Sequence, residues 1–174
     1  MQSITVAIAD VDCGRRAKYE RLLLGEDGIK LLSNVEVNDG GKEGLESGIA
    51  RSRQNLGGLK YEIEVDRIKR LNPVVTLVKV DMDVDEDQAL FLSLRSECPE
   101  ARIVLLADDA IQESRIIQAL EIGARGYLKN EAVEHNLTRA VHAVGRGEAW
   151  VPRKMLGRIL DRMLNKREAY RLAN

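Results

Sequence analysis

Aromatic side chains are scarce in this 174-residue chain: one Trp, four Tyr and one Phe, 3% in all. So few rings cannot furnish a base-stacking platform for single-stranded nucleic acid. Only two cysteines occur, Cys13 and Cys98, and they form no paired spacing, which argues against a disulfide framework or a zinc site. His135 and His142 lie seven apart on one face of a helix pattern, without cysteines or an acidic cluster beside them. They read as solvent-facing residues rather than metal ligands. No apolar run is long enough to span a bilayer, and no signal peptide precedes Ile4, so the expected location is the cytoplasm, with no membrane partner. The glycine pairs Gly40-Gly41 and Gly57-Gly58 lack the Lys-Ser/Thr of a phosphate loop. A net charge of -1 by itself points neither to nucleic acid nor to a membrane surface.

What is present suits one ordinary domain with a short appendage: 44% hydrophobic and 32% charged residues. Short apolar runs alternate with amphipathic stretches. The strand candidates are 4–9, 29–37, 73–80, 102–107 and 125–128. The helix candidates are 15–24, 61–71, 87–97, 112–122 and 133–144, several closed by Gly or Pro. In the first helix, Ala17, Leu22, Leu23 and Leu24 are available to face a core. Alternation of this kind predicts a parallel sheet covered on both faces, with functional groups at the carboxyl ends of the strands. Those ends are Asp10, Lys79 to Asp83, Ala107 to Asp109, and Leu128 to Asn130.

Two segments depart from the rhythm. Residues 39–60 hold six of the fourteen glycines and read as an insertion. After Gly147, a Trp150-Val-Pro152 step leads into Arg153 to Leu164, where Met155, Leu156, Ile159, Leu160, Met163 and Leu164 form an apolar stripe. From Arg146 to Arg171 there are eight basic against three acidic residues, so an acidic body of about -6 carries a basic tail of +5. The domain is expected over 1–148 and the C-terminal amphipathic helix and tail over 149–174.

Four stretches, taken in order, resemble a response-regulator receiver domain of the NarL type. They are Val6-Ala-Ile-Ala-Asp10, Pro73 to Met82, Ala119-Leu-Glu-Ile-Gly-Ala-Arg-Gly-Tyr-Leu128, and Ala140-Val-His-Ala-Val-Gly-Arg-Gly-Glu148. The resemblance implies a flavodoxin-like (βα)5 fold, a five-stranded parallel sheet with helices on both faces, plus the C-terminal helix. It also implies a phosphorylation pocket, which this sequence alters. The paired metal-binding acids read Asp10-Val11, with Asp12 one place late. The acceptor position, six after Pro73, is Lys79. The hydroxyl position is Ala107, and Tyr127 matches the aromatic that rotates with that hydroxyl. The lysine position reads Asn130, with Lys129 one place early. A rival alignment makes Asp81 the acceptor by sliding the strand two places, which breaks the Pro73 spacing.

Losing a carboxylate and placing an ammonium at Lys79 should abolish an Mg²⁺ site, since hard cations take oxygen ligands. The expectation is therefore a pseudo-receiver, not phosphorylated on aspartate, not an enzyme and without a cofactor. It would act through protein contacts as a homodimer. Transcriptional control would run through a helix-turn-helix domain missing from this chain, with DNA contacted only there; Leu164-Asn-Lys-Arg-Glu168 faintly resembles the start of a LuxR-type DNA-binding domain. The candidate dimer surface is Ile116, Leu120, Leu137, Val141, Met155 and Ile159. Lys79 is expected to pair with Asp10, against the alternative that it reaches solvent. Competing readings are a stand-alone adaptor binding another signalling protein, and a ligand-binding or enzymatic domain of flavodoxin-like architecture.

Overall fold

Five strands form one sheet in the order β2-β1-β3-β4-β5, every neighbouring pair parallel. The computed structural model describes residues 3–33, 56–80, 85–108 and 110–172. The elements run β1 (Ile4–Ala9), α1 (Cys13–Leu23), β2 (Ile29–Leu31), α2 (Leu56–Leu71), β3 (Val75–Val80), α3 (Asp85–Glu97), β4 (Arg102–Ala107), α4 (Glu113–Ile122), β5 (Gly126–Lys129), α5 (Asn130–Gly145) and α6 (Arg153–Leu172). The alternation expected from the sequence is the architecture found. Residues 34–37 of the expected second strand and 39–55 of the insertion lie outside the described residues.

The strands are apolar on both sides because helices cover both faces. Val6, Ile8, Leu77, Val104, Leu106 and Leu128 point to one layer, where Tyr19, Leu23, Leu137 and Val141 cover them from α1 and α5. Ala7, Ala9, Val78, Ile103, Leu105 and Tyr127 point to the other, beneath Ile68, Phe91, Ile116 and Met155 of α2, α3, α4 and α6. In α1 the buried residues are Tyr19 and Leu23, whereas Leu24 is the C-cap and is exposed. The 100° helical step carries Tyr19 and Leu23 to the same side and turns Leu24 away.

Helix ends follow local chemistry and shift the expected limits. Asp12 caps α1 by accepting from the Arg15 backbone N–H at 2.9 Å, so the helix starts at Cys13. α2 begins at Leu56, inside the segment read as an insertion, and closes at Asn72, whose φ of 45° lies in the left-handed region just before Pro73. Gly123 (φ 125°) ends α4, its N–H returning to Ala119 and Leu120 carbonyls. α6 continues well beyond Leu164, to Leu172.

Candidate functional site

Parallel register lines up the carboxyl ends of the central strands. Ala9 lies opposite Val78, Lys79 opposite Leu106, and Ala107 opposite both Val80 and Lys129. The carboxyl ends of β1, β3, β4 and β5 therefore lie along one edge of the sheet, where an open α/β fold places its binding crevice. A cavity of about 250 Å³ sits there, lined by Arg15, Tyr19, Lys79, Asp108, Asn130 and Glu134 among others.

Lys79 is 7% exposed, so its ammonium needs a partner. That partner is Asp108, the residue immediately after β4, at 2.8 Å from Nζ to Oδ1. The contact is an ion pair rather than a well-directed hydrogen bond. The same oxygen accepts from the Asn130 side-chain amide, and Asn130 Oδ1 accepts from the Tyr19 hydroxyl at 3.3 Å. Lys79, Asp108, Asn130 and Tyr19 thus form one chain across β3, β4, α5 and α1. The expected Lys79–Asp10 pair is not the one formed.

Asp10 is 2% exposed and already satisfied. Arg15 grips it with both forks, Nε to Oδ2 at 3.0 Å and Nη2 to Oδ1 at 2.9 Å. Oδ1 also accepts from the Asp12 backbone N–H at 2.8 Å. A bidentate guanidinium is the strongest partner a buried carboxylate finds, and it leaves Asp10 no call on Lys79. Beneath it, buried Glu64 accepts from the Asp10 backbone N–H at 3.1 Å and is held by Arg67 at 2.7 Å. Arg67 in turn donates to the Ile8 carbonyl. Sequence reasoning missed Arg15, Glu64 and Arg67. Arg15 left a signal, since a cation in the first turn after β1 faces back over the strand edge. Asp108 was visible only as one acid among several.

The remaining candidates fall into place around this network. Val11 is 37% exposed and Asp12 serves as the α1 cap. Ala107 is buried at the β4 end, and Tyr127 is buried in the core beneath α4 and α6. Lys129 is exposed and precedes the first residue of α5, Asn130. Asp81 and Asp109 lie outside the described residues. The backbone bond from Arg15 holds the Asp12 carboxyl below its usual range. Burial, followed by the carboxylates of Asp10 and Asp108, pushes the Tyr19 phenol up.

This donor set does not fit Mg²⁺. Both Asp10 oxygens are taken, Val11 offers no oxygen in its side chain, and an ammonium occupies the end of β3. Among the described residues no three His, Cys, Asp or Glu gather as a metal-binding group.

The candidate dimer residues are used inside the protomer. Ile116, Leu137, Val141 and Met155 are 0–5% exposed, and Leu120 and Ile159 pack partly buried against the core. Helical periodicity marks an apolar face without saying what covers it, and here the domain itself does. Among the described side chains of α6, the large apolar ones left exposed are Leu156, Leu160, Met163 and Leu164.

Solved structures share this arrangement. The isolated REC domain of RcsB from Salmonella enterica serovar Typhimurium, in the apo form, matches at a TM-score of 0.64 and 13% identity, over 91% of this chain and 99% of that one. The fold is that of a response-regulator receiver domain. The signal receiver domain of the putative response regulator NarL from Mycobacterium tuberculosis matches at 0.54 and 18% identity, over 85% of this chain and 100% of that one. An RcsB–DNA complex matches at 0.63 and 14% identity, over 92% of this chain and 68% of the RcsB chain. No protein-family model and no curated protein sequence matches the chain. Identities this low speak for the receiver fold alone. No described helix is long and apolar enough to cross a membrane.

Proposed function

We propose that this receiver fold works as a pseudo-receiver in two-component signalling: it is not phosphorylated on aspartate and acts through protein contacts, including self-association, in transcriptional control. The observation that carries the reading is the double pairing at the strand ends. Lys79 stands at the end of β3 and is ion-paired with Asp108, while Arg15 holds both oxygens of Asp10. Aspartyl phosphorylation needs a free carboxylate as nucleophile and a cation to carry the phosphoryl charge. A lysine at this place supplies no carboxylate. It supplies a resident positive charge instead, linked through Asp108 and Asn130 to α5 and Tyr19.

The transcriptional part of the reading rests on the RcsB neighbour solved with DNA and on Leu164-Asn-Lys-Arg-Glu168 at the tail. DNA would be contacted by a separate domain. The test is incubation with acetyl phosphate and Mg²⁺ followed by intact mass spectrometry, beside an ordinary receiver as control. The expected result is an unchanged mass. A stoichiometric phosphoryl adduct would overturn the reading.

A further inference from the structure

α6 presents an apolar row that its own domain leaves uncovered. Met155 and Ile159 pack inward, while Arg158 and Arg162 reach Glu113 and Glu121 of α4 at 2.9 and 3.8 Å. These contacts hold the helix on α4 and turn Leu156, Leu160, Met163 and Leu164 to solvent, 42–60% exposed. Their spacing of four, three and one places them in a single stripe. Over 153–172 the helix carries seven basic and two acidic residues. Two such stripes facing each other would bring like charges together, which disfavours a symmetric α6–α6 pair.

A matching surface lies elsewhere on the same chain. Between α2 and α3 is a groove of about 540 Å³ with Tyr61, Val65 and Ala89 among its apolar lining and Glu62, Asp66 and Glu97 as its acids. Lys69 holds Glu97 at 2.7 Å, while Glu62 and Asp66 form no ion pair among the described residues. The groove is apolar and acidic where the α6 face is apolar and basic. No residue of α6 lines this groove, and the helix is fastened to α4 instead.

We infer that α6 of one copy docks into the α2–α3 groove of a second copy. This deepens the self-association in the proposed function and rests on that part alone, not on the state of any aspartate. Reciprocal exchange gives a two-fold dimer, and one-way docking gives a ring or a chain. Because opposite charges rim the contact, added salt weakens it.

The test is light scattering and sedimentation of the full chain at low and high salt. Two charge-reversal variants are used, one in the groove (Glu62→Lys with Asp66→Lys) and one on the helix (Arg153→Glu with Lys154→Glu). All four positions are exposed, and circular dichroism checks that each variant is folded. The wild type is expected at multiples of 19.4 kDa at low salt, and each variant alone as the monomer. An equimolar mixture of the two is expected to associate again, since each supplies the sign the other has lost. A wild type that stays monomeric at every concentration would overturn the inference. So would a groove variant that assembles like the wild type, which would assign the contact to α6 alone. The acetyl phosphate experiment reads separately, so loss of the docking model and loss of the pseudo-receiver reading are distinguishable.

Discussion

The Lys79–Asp108 pair makes an asymmetric prediction, because its two halves differ in burial. The Lys79 side chain is 6% exposed and the Asp108 side chain 45%. Asp108→Ala leaves a buried ammonium with no counter-charge and removes the acceptor for the Asn130 amide. Breaking a fully buried pair in this way costs about 3–5 kcal/mol, and partial screening of Asp108 by water lowers that figure. A loss of about 2–3 kcal/mol is expected. Lys79→Met keeps an unbranched stem of similar length and removes the charge. Asp108 then remains hydrated and still accepts from Asn130, so the change should stay within about 1 kcal/mol in either direction. For a chain of this size each kcal/mol moves Tm by about 2–4 °C, so Asp108→Ala should lower Tm by about 4–12 °C while Lys79→Met stays close to wild type. Thermal and urea unfolding followed by circular dichroism measure both. The double variant should resemble Lys79→Met rather than the sum of the two, since the ammonium that suffers in Asp108→Ala is absent. A Lys79→Met loss equal to or larger than that of Asp108→Ala would refute the argument that the unpaired buried ammonium is the costly state.

Tyr19 titrates above its ordinary value, so the unfolded phenol ionises first as pH rises. Its contribution is complete below about pH 10 and is lost as pH climbs through the folded value. Tyr19→Phe should remove that share of the alkaline loss and take one late phenol out of the ultraviolet titration, at the expense of the 3.3 Å bond to Asn130. At Gly145 an added Cβ would lie 2.5–2.9 Å from three atoms of the Ile4 side chain. Gly145→Ala should therefore cost about 1–3 kcal/mol by urea denaturation even though alanine suits a helix, and Ile4→Ala in the same chain should return part of it. Unchanged stability in Gly145→Ala would show that the Ile4 side chain moves aside freely.

Strand and helix alternation, the apolar runs of β1, β3 and β4, and the stops at Pro73 and Gly123 were legible because they depend on local periodicity and backbone preference. The same local signals put a lysine at the end of β3. Boundaries were less legible. The start of α5 falls at Asn130 rather than Val133, and α2 reaches back to Leu56, because polar first turns and glycines carry no apolar period to read.

Pairing and coverage belonged to the tertiary structure. Several acids lie near Lys79 in sequence pattern, and charge alone cannot rank them. The ranking came from Arg15, whose forked guanidinium fits the buried Asp10 carboxylate and leaves Asp108 for the lysine. The apolar stripe of α6 was plain from spacing, yet which half faces inward depended on where α4 offers Glu113 and Glu121. Sequence determined that a cation ends the third strand and that an amphipathic basic helix follows the domain. The fold decided which acid answers that cation and which leucines remain uncovered, because both are settled by distances between residues far apart in the chain.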